Sequence, residues 1–180
     1  MNKMLETLNT QAISLTSKGL YKEAIACFKK ALLSEKNNYL LWLNLGLTYY
    51  YSGNYTSCRD CLLKAYELNP TEKDVLDTLA QAYLLLQEFD EAMLYCMEAI
   101  DLYPVDPSLW NTMGVINFNI ADYPTASICF ERAISYNPFY YDALYNLRDT
   151  YDQLGNTKGK NECIEKMKTL KDPSADYSGV

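Results

Sequence analysis

The chain has 180 residues, of which 49% are hydrophobic and 22% charged, with a net charge of −7 and no histidine. That is enough apolar material for one compact domain or one short repeat array. The acidic balance excludes a phosphate-neutralising nucleic-acid surface and an anionic membrane surface, and the missing histidine removes the commonest general base and metal ligand.

No apolar run approaches the ~20 residues of a membrane span. The opening MNKMLETLNTQ lacks the apolar core of a secretion signal. The expected location is cytoplasmic, with the six cysteines reduced rather than bridged.

The predicted elements come as five helix pairs of equal length. In residues 5–38 a first helix carrying Leu8, Ala12 and Leu15 breaks at Gly19, and a second carries Ala24, Phe28 and Ala31. Residues 39–72 repeat this with Trp42, Leu45, Gly46 and Tyr49, a break at Gly53, then Cys58, Leu62 and Ala65. Residues 73–106 supply Leu76, Leu79, Ala80 and Tyr83, then Ala92, Cys96 and Ala99. Residues 107–140 supply Trp110, Met113, Gly114 and Asn117, then Ala126, Phe130 and Ala133. Residues 141–174 supply Leu144, Leu147, Arg148 and Tyr151, break at Gly155, and end with Lys160, Ile164 and Met167.

The apolar residues recur at helical spacing, and the small ones let paired helices approach closely. Glycine is the cheapest residue where the chain must turn with φ > 0. Pro70, Pro104 and Pro138 end the three central repeats, because proline cannot continue a helix and disfavours the helical region before it. Thr71 and Asp106 fall where N-caps are expected, with Pro107 at the first helical position.

Trp42-x2-Leu45-Gly46-x2-Tyr49, Ala24-x3-Phe28 and Ala126-x3-Phe130 at a period of 34 resemble the tetratricopeptide repeat (TPR) family. The resemblance covers roughly residues 5–174 without insertion. It implies an all-α fold, a right-handed superhelix of five antiparallel helix pairs, in a single domain spanning 1–174. Such a repeat cannot bury its apolar face alone, and stacking gives one continuous core. The fifth repeat is atypical. Arg148 replaces a small residue, Lys160 replaces an alanine, and the second helix is rich in Lys and Glu, so it is expected to be a polar end cap. The tail, residues 175–180, has no periodicity and is expected to be mobile.

Three groups invite a chemical reading. Cys58 and Cys61 form a CxxC, but no second pair lies at metal-ligand spacing. Cys58 shares a column with Ala24, Ala92 and Ala126, while Cys27, Cys61, Cys129 and Cys163 share another, which suits small core packers. The pairs Asp74/Asp77 and Asp149/Asp152 lie on one helix face each but have no nucleophile or phosphate loop beside them; a solvated acidic face fits them better. Ser178-Gly179-Val180 fits the C-terminal ligand of a PDZ domain and is taken as chance. No catalytic residue, cofactor or metal is expected.

The resemblance further implies that positions 2, 5, 6, 9, 12 and 13 of each repeat face a concave groove. Position 6 holds only short hydrogen-bonding residues, Thr10, Asn44, Thr78, Thr112 and Asn146, which suit an extended peptide backbone. Position 5 holds Asn9, Leu43, Asp77, Asn111 and Tyr145; position 9 holds Ile13, Leu47, Gln81, Val115 and Asp149. Asp74 stands at position 2, and Tyr50, Tyr51, Leu84, Leu85, Phe118, Asn119 and Asp152 at positions 12 and 13. The carboxylate clamp by which some TPR domains grip chaperone C-termini is not matched. In the first frame its places hold Asn9, Ile13, Asn44, Asp74 and Thr78, without a cation.

The expected function is a non-enzymatic scaffold that binds a neutral-to-basic partner peptide or helix with apolar anchors in that groove. No nucleic acid, membrane or chaperone tail is expected as a partner. The alternative is a self-association module that assembles homo-oligomers through its terminal repeats or convex face.

Overall fold

The structure, a computed structural model, describes residues 3–171, with side chains from Thr7 to Leu170. Among the described residues there are ten helices and no strand: α1 (Lys3–Ser17), α2 (Tyr21–Leu32), α3 (Tyr39–Tyr51), α4 (Tyr55–Leu68), α5 (Lys73–Leu85), α6 (Phe89–Leu102), α7 (Pro107–Asn119), α8 (Tyr123–Tyr136), α9 (Tyr141–Gln153) and α10 (Thr157–Lys171). They make the five helix pairs that the period implies. The 175–180 tail, with its Ser-Gly-Val end, lies outside the described residues. None of the described helices is long and apolar enough to cross a membrane.

Contacts divide the chain into two compact units, Met1–Ala99 and Ile100–Val180. In the first, α1 packs on α2, α3 on α4, and α2 and α4 each pack on the helix that follows them. In the second, α7 packs on α8, α8 on α9 and α9 on α10.

Each pair is turned by the same device. Leu20 N–H donates to the Leu15 carbonyl at 2.9 Å and Gly19 N–H to that of Thr16 at 3.0 Å. This is the Schellman pattern, which satisfies the last carbonyls of a helix through one residue in the left-handed region. The same two bonds recur one repeat on, from Asn54 to Tyr49 and from Gly53 to Tyr50, and again from Glu88, Asp122 and Asn156. Gly19, Gly53 and Gly155 adopt φ of +74°, +78° and +68°. In the two repeats that lack the glycine, Gln87 and Ala121 take the same conformation at +62° and +63°. The turn is thus imposed by packing even where the side chain opposes it, at roughly 1–2 kcal/mol.

The residue after the turn caps the second helix. Asn54, Asp122 and Asn156 accept from the backbone N–H of Ser57, Thr125 and Gly159. At the first helices, Asn38 accepts from Leu40 and Leu41, and Asp106 accepts from Ser108 with Pro107 opening α7. Thr71 does not cap α5. That place belongs to Glu72, which makes no side-chain cap bond, while the Thr71 hydroxyl donates to Asn69 at 3.3 Å. The prolyl turn takes one residue more than the spacing suggested.

Linkers are pinned by tryptophan. The indole N–H of Trp42 donates to the Lys36 carbonyl and that of Trp110 to the Pro104 carbonyl, both at 2.7 Å. The Arg132 guanidinium lies 4.4 Å over the Trp110 ring. In the first unit a tyrosine stack joins α4, α5 and α6. Tyr83 and Tyr95 lie parallel at 5.4 Å, Tyr66 meets Tyr95 edge-on, and the Tyr66 hydroxyl donates to Glu98.

Gly46 and Gly114 let the paired helices close. A Cβ on Gly46 would lie 2.9 Å from Leu62, and one on Gly114 would lie 2.5 Å from the Phe130 ring. Gly114→Ala is expected to lower stability by about 1–3 kcal/mol through overpacking. Gly53→Ala, whose added methyl meets open space, should cost only the left-handed strain, about 1 kcal/mol. Urea denaturation of the two variants checks the order.

Candidate functional site

In the first unit the face built from α1, α3 and α5 carries most of the residues expected in the groove. Ile13 is 46% exposed, Asp74 is exposed, and Asn9, Asn44, Leu47, Tyr50, Asp77 and Gln81 are half-buried. Leu43 and Thr78 are only 5% and 8% exposed, so they serve packing rather than a partner. The Thr78 hydroxyl donates to the Asp74 carbonyl at 2.6 Å, turned back onto its own helix. In the second unit Asn111, Val115, Asn146 and Asp149 are half-buried and Tyr145 is 44% exposed, while Thr112 is buried.

The asparagines of positions 5 and 6 join neighbouring repeats. The Asn44 amide donates to Asn9 Oδ1 at 3.4 Å, and the Asn146 amide donates to Asn111 Oδ1 at 3.0 Å. Each amide has two donors and an acceptor with two lone pairs, so one bond apiece leaves capacity for a peptide. The position-6 column therefore divides by chemistry. Asn44 and Asn146 are half-buried and bonded to the repeat before, Thr78 and Thr112 are sunk into the packing, and Thr10 of the first repeat is exposed.

Between α1 and α3 lies a cleft of about 420 Å³ whose floor is the buried Phe28 ring and whose rim is Ile13, Leu47 and Tyr51. Its threonine and serine hydroxyls are engaged: Thr16 donates to the Ala12 carbonyl and lies 2.9 Å from the Thr48 oxygen, Thr48 donates to the Asn44 carbonyl, and Ser17 donates to the Ser14 carbonyl. No charged side chain lines it. The surface it offers is apolar, with the Asn44 amide at one edge. Position 12 of the first repeat, Thr16, was the unread signal for this cleft; it is the smallest residue of its column.

In the second unit Arg148 lies flat over the Tyr145 ring at 3.9 Å and pairs with Asp149. This spends one cation and one carboxylate of that face on each other. Lys160, out of its alanine column, reaches Asp152 at 2.7 Å.

Cys58 is fully buried and Cys61 is 8% exposed. Burial pushes both thiols up to about 12, so at neutral pH they are uncharged packing groups and not thiolates. Among the described residues no three His, Cys, Asp or Glu side chains are grouped to hold a metal.

Residues 17–99, just under half of the chain, match the model of a family described as anaphase-promoting complex, cyclosome, subunit 3. The chain is 26% identical over 161 residues to BBSome complex member BBS4 of Xenopus tropicalis, covering 86% of this chain and 31% of that protein. It is 24% identical over 166 residues to anaphase-promoting complex subunit 3 of Schizosaccharomyces pombe, covering 88% of this chain and 24% of the relative. The chain thus spans about a quarter to a third of the length of these relatives. Among solved structures, PilW, a type IV pilus biogenesis factor, superposes with a TM-score of 0.86 at 19% identity, over 98% of this chain and 82% of that one. A MamA structure gives 0.82 at 22% identity, over 100% and 98%. YrrB, described as a TPR protein with an unusual peptide-binding site, gives 0.71 at 22% identity, over 94% and 86%. With the 34-residue motif and the five helix pairs, these likenesses make the chain a tetratricopeptide-repeat protein.

The thiols give a test of the packing reading. A thiol whose folded value is raised stays protonated while the unfolded chain ionises near ~8.5, so its contribution to stability is complete below that pH and falls as pH rises toward 12. At pH 8, iodoacetamide should modify the half-buried Cys27 first and leave Cys58 and Cys61 protected until the chain opens. Peptide mapping by mass spectrometry against time checks this, and fast labelling of Cys58 would contradict it.

Proposed function

We propose that this chain is a non-enzymatic protein-interaction scaffold that holds a segment of a partner protein against the faces of its first-in-pair helices. The observation that carries the reading is the apolar cleft between α1 and α3, open beside an acidic strip on α5, in a face otherwise knitted by asparagine bonds. An extended segment offers that face backbone N–H and C=O groups for the remaining amide capacity of Asn9 and Asn44, and side chains for the cleft. Asp74 and Asp77, one turn apart on α5, favour a neutral-to-basic segment, since complementary charge steers and orients. The similar proteins support the class of work: two are named as members of multi-subunit complexes, and a third as peptide-binding.

Leu47→Asp tests the face with little expected damage to the fold, because Asp149 already stands at the equivalent place. Combined with Ile13→Glu, it should abolish partner capture from a native lysate while shifting Tm by no more than a few degrees. Undiminished capture would place the contact elsewhere. Alanine at Asn44 or Tyr50 is a poorer probe. Asn44 bonds to Asn9 and Tyr50 to Gln81 at 3.1 Å, so each loss should also cost about 1 kcal/mol of stability.

The clamp positions in this chain carry no cation in the frame starting at the first repeat, and Asp74 inverts one. An acidic chaperone C-terminal peptide should show no binding at micromolar concentration by isothermal titration; a micromolar Kd would contradict the assignment.

A second reading, homo-assembly through the opposite face, draws on Leu94 and Met97. They are one turn apart on α6, at 61% and 54% exposure. Sedimentation over a hundredfold range of concentration separates the two, because a species monomeric throughout removes assembly.

A further inference from the structure

Two other places in the molecule show what the α1–α3 cleft is shaped for. At position 12 of the second repeat, Tyr50 lays its ring edge-on against Tyr55, the first residue of the following helix, with centroids 5.8 Å apart. At position 12 of the fourth repeat, Phe118 does the same against Tyr123 at 5.2 Å, and the two ring planes meet at 64° and 65°. In the first repeat the corresponding residues are Thr16 and Tyr21, and Tyr21 lines the cleft with no aromatic ring of the described residues paired against it.

The consequence appears in the cavity. Three repeats after Ile13, Thr16, Phe28, Asn44 and Leu47 stand Val115, Phe118, Phe130, Asn146 and Asp149. These five line a void of about 60 Å³ in place of about 420 Å³. The same scaffold, with the same phenylalanine floor and the same asparagine, is closed when position 12 is aromatic and open when it is threonine.

On the reading of this face as a partner groove, we infer that the α1–α3 cleft is an anchor site for one aromatic side chain of the partner. That ring takes the place that Tyr50 and Phe118 fill in their own repeats, edge-on to Tyr21 and above Phe28. The geometry that accepts it is already made twice within the chain, and offset or edge-to-face contact at such separations is favourable beyond the area buried. The lining has no charge and its threonine hydroxyls are engaged, so the site selects an uncharged ring over a carboxylate or an ammonium. The acidic strip on α5 is at least one helix spacing away, ~10 Å. A basic residue about three positions along an extended segment from the aromatic one would reach it.

The test uses the full chain with labelled Ile and Leu methyl groups and capped peptides acetyl-Gly-Ser-X-Ser-Gly-Lys-Gly-amide, where X is Phe, Leu, Ala or Asp. The Phe peptide should shift the Ile13 and Leu47 methyl signals and bind about tenfold tighter than the Ala peptide, with the Asp peptide weakest. Thr16→Phe, which copies Phe118, should erase that preference. Leu47→Asp should erase it independently if Thr16→Phe does not fold. Binding at these methyls with Phe equal to Ala overturns the aromatic anchor and leaves the groove reading standing. Binding that shifts only methyls remote from α1 and α3 overturns both. No binding by any peptide up to millimolar concentration overturns the anchor, while the capture experiment still decides the groove. Shifts of Ile13 and Leu47 on concentrating the protein alone would show a second copy as the occupant and overturn the partner assignment.

Discussion

The fold depends on how closely the two helices of a pair can approach at the eighth position of each repeat. There Ala12, Gly46, Ala80 and Gly114 give way to a larger side chain from the second helix. The Leu62 side chain and the Phe130 ring sit where a Cβ would have to go at Gly46 and Gly114. Phe28, Leu62, Cys96 and Phe130 are at most 1% exposed as a result. In the last repeat the pattern is reversed. Arg148 occupies the small position, and the small residue moves to the second helix as Gly159, against the Tyr151 ring. The pair still closes, with Cys163 and Met167 buried beneath it. The last repeat is therefore a different solution to the same constraint, rather than a looser copy.

Once the pair is closed, the phenylalanine or leucine wedged between its helices becomes the floor of whatever lies on the groove side. Position 12 then decides whether that floor is covered. A tyrosine there also ties α3 to α5, the first helix of the next repeat, since the Tyr50 hydroxyl donates to Gln81 and its phenol is pushed up by burial and by its neighbours Tyr55, Cys58 and Asp77. A threonine there turns inward to its own backbone and leaves the floor open. One column thus exchanges internal cohesion for open space between the first, second and fourth repeats.

The period of 34, the small residues and the prolines were legible because each expresses a local requirement: helical spacing, close approach, a missing N–H. The three glycines marked three of the five turns. Gln87 and Ala121 hid the other two, since their left-handed conformation is forced by the packing on either side and not by their own preference. Groove membership was less legible. Leu43, Thr78 and Thr112 sit at positions that face the groove in register, yet neighbouring helices cover them. Whether the space above the floor is open follows the size of the position-12 residue of the same repeat, as at Thr16 and Phe118. That information was present in the columns, but only as a contrast between repeats.

The abundance of tyrosine and the excess of acid have one physical root. Tyr66 and Tyr151 each donate a phenolic hydrogen to a glutamate on another helix, Glu98 and Glu131, and Tyr39 donates to Glu72 just before α5. The bond to Glu98 raises the Tyr66 phenol, and burial together with the bond to Glu131 raises that of Tyr151. A phenol satisfies a carboxylate without cancelling its charge, whereas an arginine would do both. The bonds from Tyr66 and Tyr151 join neighbouring repeats without using a cation, in a chain that keeps 23 acidic residues against 16 basic ones. The charge left over is therefore available outside the fold, and on the function proposed above its sign suits a basic segment.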